Sequence, residues 1–190
     1  MWLRVALIAS LLTPFLHIVV LLISGQDAVS TPVNALSRPP WGILHTLGLV
    51  LFSTAHITLA VGIAGLDSGR LWTSGRYLLV ASGAVLLYTA YFFSAAEPAA
   101  LSGPDANDPL WIVASSTGFA MGALQPGLSR LSRWLGMFSL VCLGVWLWLV
   151  PLILLVNENW IGADERIVGF VYVTWITGLA AGFLRLSAEE

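Results

Sequence analysis

Lysine is absent from the 190 residues, and all eight basic side chains are arginine. This excludes functions that need a lysine amine, the retinal Schiff base among them, because no side chain can form that imine. Charge of either sign is scarce. Charged residues make up 9% of the chain and hydrophobic residues 58%, whereas soluble domains carry about 25% charged residues. With a net charge of −2 and no basic stripe, the chain has nothing to follow a phosphate backbone, so nucleic acid is excluded as a partner. The single cysteine, Cys142, lies in an apolar run and has no intramolecular disulfide partner. No Cys/His cluster has zinc spacing, and no metal ligand set is assigned.

What the chain does contain is long apolar segments. A helix crossing the ~30 Å hydrocarbon core needs roughly 20 such residues. Five segments qualify: Trp2–Ile23, Trp41–Gly65, Tyr77–Ala96, Trp134–Val156 and Ile167–Leu186. A sixth, Leu110–Leu128, is weaker because it contains Ser115, Ser116, Thr117, Gln125 and Pro126. Counting it as a span keeps Arg130 and Arg133 on the opposite side from the acidic loop before it. The expected fold is all-α, a polytopic six-helix transmembrane bundle forming a single domain over residues 1–190.

The arginines orient this bundle. Arg4, Arg70, Arg76, Arg130, Arg133 and Arg185 flank one side, and only Arg38 and Arg166 flank the other. Under the positive-inside rule both termini are then cytoplasmic, in a multi-pass protein of the cytoplasmic membrane. Six of nine tryptophans sit at span ends, as an interfacial belt requires. Arg4 ahead of an apolar run also fits a signal peptide. However, the run exceeds the usual h-region and no small-x-small site precedes Gly25-Gln26-Asp27, so a retained span is expected. Helix starts are marked by Pro39-Pro40, by Asp108 as an N-cap before Pro109, and by Asp164 and Glu165, whose charge suits a helix N-terminus.

Away from their ends the spans hold no Asp, Glu or Arg. Intramembrane charges mark ion paths and proton relays, so their absence argues against a pump or a charged filter. No carboxylate pair for acid–base catalysis is present inside the spans, and no catalytic residue is assigned. Ser53 and Ser94 have no GxSxG context, and a hydroxyl in a membrane helix ordinarily bonds its own i−4 carbonyl.

Three histidines remain, His17, His45 and His56, all within spans. His45 and His56 fall within about 20° of one helix face and ~16 Å apart along its axis. His17 and His45 lie at similar depth on adjacent helices. They are the candidate cofactor-binding residues, as axial ligands of a b-type haem or as hydrogen-bonding groups for a quinone or lipid headgroup. The structural reading is favoured: each ring bonds a polar atom on its own or a neighbouring helix, with His56 the most buried. A cavity between His17 and His45 lined by Gly48 and Phe52 would favour haem instead. Two small-xxx-small motifs, Gly118/Gly122 and Gly178/Gly182, are candidate helix-packing sites, with the partner helix in the same chain or in another copy.

PPWGILHTLGLVLF at the start of the second span and the closing WIGADERIVGFVYVTWITGLAAGFLR resemble an uncharacterised family of bacterial and archaeal six-span membrane proteins, a domain of unknown function. The resemblance implies the fold over nearly the whole chain and no catalytic residues. The chain departs from it at His45 and His56, where less polar residues are expected. The expected function is that of a membrane protein without catalytic machinery, an accessory subunit or a carrier of an apolar ligand. Its partners are the lipid bilayer and a membrane protein or a second copy of the chain. The alternatives are a haem b electron carrier and a lipid-active membrane enzyme.

Overall fold

Apolar runs without interior charge have one way to satisfy their backbone in a low-dielectric medium, the intrasegment hydrogen bonds of a helix. A computed structural model describes residues 1–37, 40–66, 69–95, 108–153 and 160–189, and these contain six α-helices and no strand. The helices are α1 (Trp2–Ser24), α2 (Gly42–Gly62), α3 (Arg70–Ala95), α4 (Asp108–Leu131), α5 (Arg133–Ile153) and α6 (Ile161–Glu189). A short 3₁₀ helix, Val33–Ser37, lies between α1 and α2. Four helices are long and apolar enough to cross a membrane: α1, α2, α5 to Val150, and α6 from Gly162. α3 carries Arg70 and Arg76 in its first two turns, and α4 carries the run Ser115-Ser116-Thr117, which lowers their hydropathy.

Several boundaries differ from those expected. α3 starts seven residues before Tyr77, because Trp72 and Arg76 cap the preceding helix from inside α3. The Trp72 indole donates to the Ile63 carbonyl (3.1 Å) and Arg76 Nε to that of Ala60 (2.9 Å), satisfying the open C-terminal carbonyls of α2. α2 itself begins at Gly42, two residues after Pro40, with Pro39 outside the described residues. α6 starts at Ile161, so Asp164 lies in its first turn and Glu165 just beyond it. α4 begins at Asp108, whose side chain is outside the described set, as is that of Ser94. α1 ends in Gly25 at φ 65°, a left-handed cap that a side chain would strain.

Each helix packs on its sequence neighbours, and α6 closes the ring on α1. Along neighbouring helices the contacts run in opposite senses, one residue number rising as the other falls, as in Gly75–Leu124 with Ser82–Ser116 and Gly178–Phe138 with Gly182–Leu135. Gly62 meets Leu3 and His45 meets His17 across α1 and α2, while Ser53 donates to Gly83 across α2 and α3. Ser82 meets Ser116 across α3 and α4, and Gly118 lies on Trp146 across α4 and α5. Trp175 donates to Ser139 (2.9 Å) across α5 and α6, and Thr177 to Ser10 (2.8 Å) across α6 and α1. The six helices therefore alternate in direction around one ring. Its core is filled by Leu59, Ile63, Trp72, Met121, Leu124, Trp175 and Ile176, all essentially inaccessible.

Candidate functional site

The three histidines divide into two kinds. His56 is fully buried and fully bonded, with Nδ1 2.9 Å from the Phe52 carbonyl and Nε2 3.2 Å from Thr117 Oγ1 on α4. Thr117 donates onward to Ser82 (3.2 Å), which meets Ser116 at 2.7 Å. This network joins α2, α3 and α4 at mid-bundle, and both ring nitrogens of His56 are engaged in it. His17 and His45 depart from the structural expectation. Their ring centroids lie 5.9 Å apart, with ring planes inclined by 59°. Each Nε2 is buried and has no hydrogen-bond partner.

Both residues line a cavity of about 330 Å³ between α1, α2, α4 and α6, with Leu86 of α3 and Val33 of the 3₁₀ helix also in its wall. Gly48 and Phe52 are also in its wall. Nearly all of the wall is apolar; its exceptions are Thr13, the two imidazoles, Glu165, Arg166 and Tyr172. The Tyr172 hydroxyl is already engaged, since it accepts from the Trp146 indole and donates to the Ala114 carbonyl (2.7 Å).

Glu165 and Arg166 place α6 against the α1–α2 connection. Val33 N–H donates to Glu165 Oε2 (2.6 Å), and Ala163 N–H donates to the Val29 carbonyl (2.9 Å). Arg166 Nη1 donates to the carbonyls of Ala28 (3.0 Å), Thr31 (2.8 Å) and Gly162 (2.7 Å). The same connection is folded on itself by Asp27, which accepts from the Ser30 hydroxyl (2.5 Å) and from the Val29 and Ser30 amides. The Ser30 hydroxyl first, and then those amides, hold the Asp27 carboxyl below the usual aspartate range.

Arg166 is only half satisfied. Its Nε and Nη2 are buried without a partner, and among the described residues no carboxylate stands within ion-pair distance. With the two imidazoles this gives four unpartnered buried nitrogens on three residues of one cavity. Leaving a buried polar group unpaired costs about 1–3 kcal/mol, and more for a charged one, so these nitrogens call for a partner such as ordered water, an ion or a ligand. Neutral imidazole can donate or accept, whereas a guanidinium only donates. The cavity therefore offers an apolar body with a donor-rich polar corner.

No family model, curated protein or solved structure matches this chain.

The remaining candidates are structural in their contacts. Gly118 has the Trp146 indole directly over it, and Gly178 the Phe138 ring. A side chain at Gly182 would meet Leu135 Cδ2 at 2.5 Å, while Gly122 has only Leu143 at 4.0 Å. These contacts are all within the one chain. Ser53 donates to the Gly83 carbonyl (2.7 Å) and faces no base. Among the described residues no group of three or more His, Cys, Asp or Glu could hold a metal. The sequence did not assign Arg166 to a site. It was nonetheless visible as one of two arginines on the otherwise arginine-poor side.

Proposed function

We propose that the chain is a six-span membrane protein of the cytoplasmic membrane, both termini cytoplasmic, that binds an amphipathic small molecule non-covalently as a carrier or accessory subunit. Four helices are already long and apolar enough to span. α3 and α4 alternate in direction with them in the same ring and have 26 and 24 residues, which supports their crossing as well. The distribution of arginines supports the orientation. The six-span family that the sequence resembles agrees with this reading.

The observation that carries the ligand reading is the meeting of two unpartnered imidazole Nε2 atoms in the wall of an apolar cavity of about 330 Å³. That volume is within the usual range for small-molecule sites, roughly 300–1,000 Å³. Native mass spectrometry of the protein purified in mild detergent tests it. A retained small molecule near one per chain is expected, and it is lost when His17 and His45 are both changed to Leu. A wild type that retains nothing and binds no member of an amphiphile panel ends this reading.

A haem b carrier is the second reading; the cavity wall of Gly48 and Phe52 beside His17 and His45, the feature expected to favour haem, is present, and the 5.9 Å ring separation also favours it. With metal–imidazole bonds of about 2.0 Å, two ligating rings oppose each other at roughly this distance. The helix contact weighs against it. A side chain at Gly48 would lie 3.9 Å from Leu16 Cβ and 4.0 Å from the Thr13 carbonyl, so α1 and α2 touch there. That contact is three residues, about 4.5 Å, along α2 from His45, and a macrocycle standing between the rings would cross it. A Soret band in the purified protein would reverse the order of the two readings. The lipid-active enzyme gains no residue, because the Glu165 carboxylate at the cavity is engaged by the Val33 amide.

A further inference from the structure

The ligand class can be read from Arg166. A guanidinium has a side edge, Nε with Nη2, that meets two oxygens of one carboxylate or phosphate through parallel hydrogen bonds. In this chain Nη1, on the other side, is fixed by three carbonyls, whereas Nε and Nη2 are both buried and unpartnered. The group is thus anchored through Nη1, with its oxyanion-binding edge buried and lacking hydrogen-bond partners. His45, 4% exposed, and His17 add two more unpartnered nitrogens in the wall of the same cavity.

A metal ion would meet the guanidinium charge, which Glu165 and Asp27 offset only from beyond ion-pair distance. An oxyanion would supply the hydrogen-bond partner that Nε and Nη2 lack, beside a Glu165 carboxylate held by the Val33 amide. The rest of the wall is mostly hydrocarbon, Leu49, Leu86, Val113 and Val173 among it, and its polar exceptions Thr13 and Tyr172 already have hydrogen-bond partners. Phe52, also in the wall, lies seven residues below His45 on α2, a depth of about 10 Å. The polar corner and the apolar shaft have the two-part chemistry of a single-chain lipid.

We infer that the cavity takes a single-chain amphiphile with an oxyanion head, the head on the Nε–Nη2 edge of Arg166 beside His17 and His45, and the chain toward Phe52. This rests on the cavity being a ligand site, and the test separates the two claims. Wild-type protein in non-ionic detergent is titrated with palmitate, hexadecyl phosphate, hexadecanol, acetate and inorganic phosphate, and occupancy is read by native mass spectrometry. Palmitate or hexadecyl phosphate binds one per chain, and hexadecanol binds about tenfold or more weaker, the loss expected when a charge-assisted hydrogen bond is removed. Acetate and inorganic phosphate bind no more tightly than hexadecanol.

Equal binding of hexadecanol and palmitate would overturn the oxyanion assignment while leaving the cavity a ligand site. Binding of free phosphate as tight as that of hexadecyl phosphate would overturn the amphiphile and leave an anion site. No binding by any probe would end both claims. Arg166→Lys, which keeps the charge and removes the fork, is expected to narrow the preference for palmitate over hexadecanol. Because the head comparison is made on wild-type protein, the outcome stands even if that variant does not fold.

Discussion

Gly178 on α6 lies directly against the ring of Phe138 on α5, with no room for even a methyl group between them. Phe138 is in turn stacked on Trp134, ring centroids 5.5 Å apart and planes 4° from parallel, so moving it aside would give up that stacking. In a membrane, where lipid is as apolar as the core, such close approach is what holds neighbouring helices together.

Gly178→Leu is therefore expected to destabilise the bundle by about 1–3 kcal/mol or more, the cost of overpacking. Gly65→Leu is the control, since nothing lies within 4 Å of its side-chain position. Thermal unfolding in detergent compares them. Equal melting of the two variants would remove the packing argument for α5 and α6.

The histidines are expected to respond in opposite directions. His56→Leu breaks the bonds to Phe52 and Thr117 and leaves Thr117 short of a partner, costing about 1–3 kcal/mol. His45→Leu removes a buried Nε2 that has no partner, and so is expected to be neutral or stabilising in ligand-free protein. Parallel melts of ligand-free samples decide. A His45 variant as unstable as the His56 variant would assign His45 a structural bond.

The orientation is testable by cysteine labelling, because the sequence has only one native thiol to remove. In a Cys142→Ser background, single cysteines at Ser102 and Ser132 should label from opposite faces with a membrane-impermeant maleimide. Labelling of both from one side would rule out the six-span arrangement.

Asp27 gives the α1–α2 connection a pH response. Its carboxyl titrates below the usual aspartate range in the folded chain because Ser30 and the Val29 and Ser30 amides bond the ionised form. A depressed folded value means the contribution is complete above the unfolded value and is lost as pH falls through the folded one. Hydrogen exchange at the Val29 and Ser30 amides, corrected for intrinsic rate, should accelerate in strong acid. Asp27→Asn should show weaker protection already at neutral pH. A pH-independent profile in the wild type would show that Asp27 does not order this segment.

The helices were legible because run length and the absence of charge are local properties. Their closure into a ring was not, since it depends on which faces meet. Gly118 and Gly122 carry the same motif, yet only Gly118 is covered by Trp146. His45 and His56 illustrate the same limit within one helix. They share a face, but Thr117 on α4 reaches only His56, and no pattern within α2 encodes that partner. The pairing of His17 with His45 could be anticipated from depth on neighbouring helices. The missing partners could not, because an absence is visible only once the surrounding atoms are placed. Asp164 and Glu165 stood out as charges at a helix start, but the dipole argument could not show that Glu165, with Arg166, also ties the α1–α2 connection.

That tie also bears on how anything would reach the cavity. Arg166 and Glu165 bind residues 28–33 across the end of α6, whereas Ile18 (51% exposed) and Phe170 (62% exposed) carry the cavity wall onto the flank of the bundle. For the proposed ligand in a membrane-embedded chain, this arrangement implies loading from the side. Occupancy is then expected to follow the ligand's mole fraction in the surrounding leaflet, with ligand-free lipid added at constant total ligand lowering it by dilution within the membrane.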